Sequence, residues 1–508
     1  MRHRRGALVA STVLTAVVTL TAMSGCTSAS TSSSTGAAGS GSKDTLTLGM
    51  TADVTTSYFE TPSYQGWIAD ALYDSVLQCD ALGKPQPRAA EKWEFNADNT
   101  TATVHLRSGV KFSDGTPVDS AAVKASVGYA VPRNQRFAGV KVDTPDPLTA
   151  VIAWPKPQPV IALKLCDIRL TTPKAIEAAK FNDNPVGSGP YTLDAKATTS
   201  GSVYTLVKND SYWNSQSYPY KKLVLKVITS DTAALNALKT GQIDGSLVGN
   251  ATYNEATASG LKIQKLKGNT TRLLITDHLG KKIPALGNVD VRRAMNMVFD
   301  KAAMAKGLYQ GHAEPAAQIF RPGSTAYIDD LPDAYPYNVD AAKALMAKAG
   351  YANGFTLQIP TMQGQNHELL LPVVSQQLGL LNIKVTQKPL SGPNAISDLL
   401  SGKFPVPMWQ LGNYGESLQD IQDYVLQDGI WNVEHQPDAT VNKLWNQILT
   451  GNDQQKADAQ QAINRYITDQ AWFVPMVYPE GFYAYNAKLN VKQSSDFAQL
   501  HPLLRDFQ

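Results

Sequence analysis

"PQPRAAEKWEFNADNTTATVHLRSGVKFSDGTPVDSAAVKAS", Pro85 to Ser126, decides the fold. Lys92 to Arg107 reads as two short strands. They are parted by Asn96–Asn99, where amide and carboxylate side chains favour a turn. Asp114-Gly115 marks a second turn. Asp119 then stands where a side-chain oxygen can cap a helix running from Ser120 to about Tyr129.

Outward from this block, strand and helix signals alternate. "TLTLGM" (Thr45–Met50) has the period of two of a half-buried strand. "WPKPQPV" connects to a helical segment carrying Cys166, and "NPVGSGPYTL" is a Gly/Pro turn entering a strand. "SDTAALNALKTGQIDG" is a helix capped by Ser230 or Asp231 and stopped by Gly241. "NVDVRRAMNMVFDKAAMAKGLYQG" holds one amphipathic helix with Val291, Met295, Val298 and Phe299 on one side. "NVDAAKALMAKAGY" reads as a helix from an Asp340 cap to Gly350. "GFTLQIPTM" and "IKVTQKPL" are strands around a helix near residues 372–380, and "AWFVPMVYP" suits a central strand. Such alternation predicts α/β layers.

The N-terminus has a different character. Arg2, Arg4 and Arg5 precede an uncharged run from Gly6 to Ala22, the anatomy of a secretory signal. Met23-Ser24-Gly25-Cys26 resembles a bacterial lipobox, which makes residues 1–25 a lipoprotein signal peptide and Cys26 the lipidated residue. An ordinary cleaved signal with a stray cysteine is the alternative. Residues 26–42, rich in Ser, Thr and Gly, read as a flexible tether. Its sixteen residues from Thr27 to Ser42 reach on the order of 20 Å. Removing the leader's three arginines takes Lys+Arg from 46 to 43, against 43 Asp+Glu. A formally neutral body without a basic, aromatic-interleaved stripe does not point to nucleic acid. In an exported chain Cys79 and Cys166 can form a disulfide or stand as two buried thiols.

The Pro85–Ser126 block resembles the signature of the family 5 extracytoplasmic solute-binding proteins, the oligopeptide-, dipeptide- and nickel-binding components of bacterial ABC importers. "NPVGSGPYTL", "NDSYWN", "LKTGQIDG", "VDVRRAMNMVFDKAAM", "YNVDAAKALMAKAGY" and "YPEGFYAYN" follow in the family's order. The resemblance covers essentially the whole mature chain. It implies an α/β fold, a two-lobed class II (cluster C) periplasmic-binding-protein architecture with an additional inserted domain. Residues 43–75, 185–270 and 475–508 would form domain I, 76–184 the inserted domain II, and 271–474 the opposite lobe, domain III. Hinges would fall near 268–275 and 472–478. Trp93, Gly109, Phe112, Asp114 and Gly115 read as structural.

The implied function is capture of a peptide or peptide-like solute between the lobes and delivery to an importer permease. The protein would be a lipid-anchored monomer on the outer face of the cytoplasmic membrane, with no cofactor and no metal of its own. A sensor or adhesin uncoupled from transport is the alternative role. Three loops supply the expected ligand contacts: Tyr58, Tyr64, Gln65 and Trp67; Gln363, Gln365 and Asn366; Trp409, Asn413 and Tyr414. Peptide-binding relatives place an aspartate in the segment like "WQLGNYG" and dipeptide binders an arginine in the one like "PTMQGQN". Here those segments carry Gly412, Asn413 and amides. Uncharged loops favour a neutral ligand such as a blocked peptide or oligosaccharide, because a buried charged terminus needs a counter-charge. Asp420, Asp423, Glu416 and Arg321 are the charges that could stand in.

Enzymatic signatures fail on inspection. "HELLL" at His367 has Leu371 where a zinc-protease helix needs its second histidine. "VGSGP" at 186–190 lacks a residue of the nucleophile-elbow spacing.

Overall fold

A computed structural model describes residues 44–54, 57–60, 67–80, 83–267, 270–362, 367–392, 394–411, 417–492 and 501–508. Lys43–Gln508 forms one compact unit. Its backbone is a ten-stranded sheet. The order across it is Met408–Leu411, Thr270–Leu274, Phe473–Tyr485, Gly245–Val248, Thr45–Met50, Lys222–Val227, Val203–Lys208, Tyr191–Leu193. Lys262–Lys267 and Ala313–Pro315 also pair with Phe473–Tyr485. Thr45–Met50 runs parallel to Lys222–Val227, with Leu46 opposite Leu223 and Leu48 opposite Leu225. "TLTLGM" and "AWFVPMVYP" thus share one sheet.

The thirteen-residue strand Phe473–Tyr485 serves two half-sheets. Its first residues pair with Thr270–Leu274, and Glu480–Tyr485 pair with Lys262–Lys267. Side chains on either side of this change enter different cores. Val474, Met476 and Val477 pack with Leu273, Val291 and Phe299. Phe482 and Ala484 pack with Leu235 and Ile243, and Tyr483 with Leu46, Leu48 and Trp67.

A second sheet stands apart, with antiparallel order Ala90–Phe95, Thr101–Leu106, Thr149–Ala153, Lys141–Asp146. The hairpin closes with Asn99 in the left-handed region and its N–H donating to Asn96 O at 3.0 Å. Asp119 accepts from Ala122 N at 3.0 Å and starts the helix Ser120–Ala130. Val123 and Val127 of that helix meet Ala102, Val104 and Ile152 of the sheet in a separate core. Gly115, at φ +85°, closes the Asp114 turn. Cys79 and Cys166 are bonded in a disulfide, with Cα atoms 5.7 Å apart. The bond ties the strand Leu77–Cys79 to the helix Ile161–Asp167.

The "VGSGP" turn has a steric cause. A Cβ on Gly187 would lie 1.9 Å from Leu72 O, and one on Gly189 2.4 Å from Ala71 O. That contact lets Gly189 N–H reach Leu72 O at 3.0 Å and Gly187 O accept from Ser113 N at 2.9 Å.

Several sequence expectations need correction. The segment from Asn288 to Gly307 is two helices, Val289–Met297 and Lys301–Gly307. The break comes because Asp300 caps the second, accepting from Ala303 N at 2.9 Å. Asn338, and not Asp340, caps Val339–Lys348 through Ala341 N at 2.9 Å. The helix expected near 372–380 is His367–Gly379, with Pro372 inside it. Lys222–Val227, Gly245–Val248, Lys141–Asp146, Thr149–Ala153, Lys262–Lys267 and Thr270–Leu274 are strands that the motif reading did not single out.

Candidate functional site

Trp409 lies on the short strand Met408–Leu411, 7% exposed. Its ring packs 5.1 Å from that of Trp431 and edge-on, 6.0 Å, to His367. His367 Nδ1 accepts from Met362 N at 2.9 Å. The end of the strand Thr356–Met362, the start of the helix His367–Gly379 and Trp409 therefore meet at one place.

Charge gathers beside the same strand. Arg272 is the cross-strand partner of Trp409, and a direct antiparallel pair projects to one face of the sheet. The Arg272 guanidinium is fully buried. It donates to Ile319 O at 3.1 Å and stands 4.8 Å from the centre of the Tyr424 ring, a cation–π contact. Burial lowers its pKa, against the opposing pull of Tyr424 and Asp420. Arg321 is equally enclosed; desolvation brings it down to about 10 while Asp420 opposes the change. Asp420 lies in the first turn of the buried helix Ser417–Tyr424, whose Asp423 is one turn further on. Two guanidinium groups and one carboxylate thus interact away from water, where Coulomb forces are strongest.

Asp423 reaches Arg136, whose neighbour Phe137 packs in the core of the second sheet. Arg136, in the short turn Gln135–Phe137, donates through Nη2 to Asp423 Oδ2. Asp167 lies 3.9 Å from Arg136 Nη1, and buried Lys164 donates to Arg136 O at 3.2 Å. Burial, then the charge of Arg136, brings Lys164 down to about 8. Val160 and Leu163 pack in one cluster with Trp409, Tyr424 and Phe473.

Residues 84–429 match the model for bacterial extracellular solute-binding proteins, family 5. The chain belongs to that family. Among curated relatives, this family 5 protein is 26% identical over 334 residues to the glutathione-binding protein GsiB of Salmonella paratyphi A. The match spans 62% of this chain and 63% of the relative. GsiB of Escherichia coli K12 aligns equally well, at 26% over 333 residues. The chain thus spans less than two thirds of the length of these curated relatives. Among solved structures it is similar to the PBP AgaA in complex with agropinic acid from A. tumefaciens R10. There the TM-score is 0.80 at 22% identity, covering 91% of this chain and 98% of that one. DppA of Helicobacter pylori in complex with the peptide STSA gives 0.76 at 19%, covering 91% and 97%. These structures establish the two-lobed α/β fold expected from the motifs. The relatives named here are binding proteins by name.

Of the ligand contacts expected from sequence, the described residues of this family 5 protein include Tyr58, Trp67 and Trp409. Tyr64, Gln65, Gln363, Gln365, Asn366, Asn413 and Tyr414, like Cys26, lie outside them, as does Glu416. Tyr58 and Trp67, which bracket the first loop, are buried in the core around Thr45–Met50. Arg272 and Trp431 escaped the motif reading. An arginine inside an alternating strand and a tryptophan between turns carry no local signal of function. Among the described residues no cluster of three His, Cys, Asp or Glu could hold a metal. None of their helices is long and apolar enough to cross a membrane.

Proposed function

We propose that this protein captures a peptide-like solute bearing ionised groups in the cleft between its lobes and hands it to the permease of an ABC importer. The observation that carries the reading is the buried set Arg272, Arg321 and Asp420 beside Trp409. The loops at 363–366 and 412–416 are poor in charge, yet the lobe that bears them holds charges of both signs. A zwitterionic solute needs such partners when it leaves water. The relatives named for glutathione and for a peptide complex agree with this chemistry.

The division at 43–75, 185–270 and 475–508 against 271–474, with 76–184 inserted, is supported by separate cores around Leu48, Val104 and Val291. Across it, however, Met476 and Val477 pack with Val291, and Val160 and Leu163 pack with Trp409. Closure would swing these bodies about the strand Phe473–Tyr485 and the segment before Thr270. Cys26, lipidated, would hold the monomer at the outer face of the cytoplasmic membrane, with residues 26–42 as its tether.

A neutral solute is the second reading, favoured by the amides Gln363, Gln365 and Asn413. A thermal-shift screen separates the two. The probes are glutathione, a free tetrapeptide, the same tetrapeptide blocked at both ends, and a neutral oligosaccharide. A ligand at a hundred times its Kd stabilises the folded state by about 2.7 kcal/mol. Shifts with glutathione or the free peptide support the charged reading. Shifts with the blocked peptide or the sugar alone replace it with the neutral one. Globomycin-sensitive processing and loss of membrane retention in Cys26→Ser test the anchor.

A further inference from the structure

We propose that Arg136 is a positioning residue of the ligand site: by clamping Asp423 it sets Trp431, and through Trp431 the ring of Trp409. The inference rests on the cleft lying beside Trp409, as read above. It adds that the layer built from residues 76–186 is a working wall of that cleft.

Each link is a direct contact in the fold. The Arg136 guanidinium donates to the Asp423 carboxylate, and their chain neighbours Phe137 and Tyr424 pack in different cores. The Asp423 backbone carbonyl accepts from Trp431 N–H at 2.9 Å. The Trp431 ring then lies against Trp409 at 5.1 Å. On the other side of the clamp, Arg136 is itself held. Lys164 donates to its carbonyl and Asp167 faces its guanidinium. Both belong to the helix that the Cys79–Cys166 disulfide fastens. Val160 and Leu163 put apolar contact beside this polar one.

A planar guanidinium against a carboxylate fixes direction as well as distance. Asp423 is buried, at 5% exposure, so the pair is less screened than a surface bridge. Lys156 and Asp428 make a second bridge between the same bodies at 3.7 Å, but both are about four-fifths exposed. Exposed pairs of that kind contribute little. It serves as the internal control.

Hydrogen–deuterium exchange of the purified, ligand-free protein reads the linkage. Arg136→Gln and Asp423→Asn are each expected to speed exchange in a peptide covering Trp431 by tenfold or more. Arg136→Lys should recover part of that protection, and Lys156→Ala should leave it within twofold of the unaltered protein. Far-ultraviolet dichroism and urea midpoints confirm that each variant is folded; one that is not is replaced by the milder Arg136→Lys. Unchanged exchange at Trp431 in Arg136→Gln, or an equal change in Lys156→Ala, overturns the proposal. Titration with glutathione and with the tetrapeptide Ser-Thr-Ser-Ala follows on the same variants. Weaker binding in Arg136→Gln than in Lys156→Ala, by threefold or more, supports the positioning role. Affinity equal in the two despite altered exchange refutes it. If the unaltered protein binds neither probe, the peptide-like reading of the ligand fails, while the exchange result still decides the coupling of Arg136 to Trp431.

Discussion

Arg272 and Trp409 face one another on neighbouring antiparallel strands, so a fully buried guanidinium and a nearly buried indole share one side of the sheet. The guanidinium lies against Tyr424 and interacts with Asp420, and the indole lies against Trp431. A charge so placed is sustained only by its partners. Truncating it should therefore cost more than removing a surface arginine. Arg272→Ala is expected to lower unfolding stability by about 3–5 kcal/mol, the usual effect of breaking a buried charge cluster. Arg272→Met, which keeps most of the volume, should cost less. Urea unfolding at neutral pH measures both.

The Gly187 contact predicts a steric failure. A methyl group there would press on Leu72 O, a backbone atom that cannot rotate away. Gly187→Ala should destabilise by about 1–3 kcal/mol or more, as overpacking does. Gly379, in the last turn of His367–Gly379, has open space around its Cβ position. Gly379→Ala should be neutral or stabilising by up to about 1 kcal/mol. Equal urea midpoints for the two variants would contradict this account.

The Cys79–Cys166 bridge spans 87 residues of sequence. In the chain-entropy description a loop of that length is worth roughly 4–5 kcal/mol, and loss of native bridges generally costs about 2–5. Replacing both cysteines by serine should lower the denaturation midpoint by a corresponding amount. Because Asp167 and Lys164 sit on the fastened helix, the same variant should also loosen Trp431, visible in its exchange.

His278 supplies a pH dependence. It stacks on Trp472 at 4.1 Å and its carbonyl accepts from Arg292. Burial, then the Arg292 charge, pushes its pKa down from 6.5 to about 4. Above pH 6.5 the ring is neutral in both folded and unfolded chains and contributes nothing. Between 6.5 and 4 the unfolded chain takes up a proton that the folded one refuses, so stability falls as pH falls. At 1.36 kcal/mol per pKa unit the loss is on the order of 3 kcal/mol by pH 4. Urea midpoints from pH 7.5 to 4.5 should show this decline, and His278→Gln should flatten it.

Local chemistry was enough to write much of this fold in the sequence. The Asn96–Asn99 turn, the Asp119 cap, the Gly115 turn and the strand Thr45–Met50 each depend on a few adjacent residues, and each is present. The order of those motifs was enough to identify the family. Where two local signals competed, sequence lost. The stretch from Asn288, expected to hold one helix, holds two, with Asp300 capping the second through Ala303 N–H. The glycines of "VGSGP" announced a turn, but only the approach of Leu72 O, more than a hundred residues earlier, explains why no side chain fits.

The charges around the candidate site belong wholly to tertiary structure. Arg321 and Asp420 could be named as spare charges, and nothing in the chain said that they meet. Arg272 sat unremarked in an alternating strand until its register placed it opposite Trp409. Arg136 and Asp423 lie 287 residues apart, and only the docking of two cores joins them. Turns, caps and periodicity are set by neighbours along the chain, so sequence alone determined them. Which buried charges share a low-dielectric space is set by strand register and by contact between separate cores. Those are distances that no local pattern encodes.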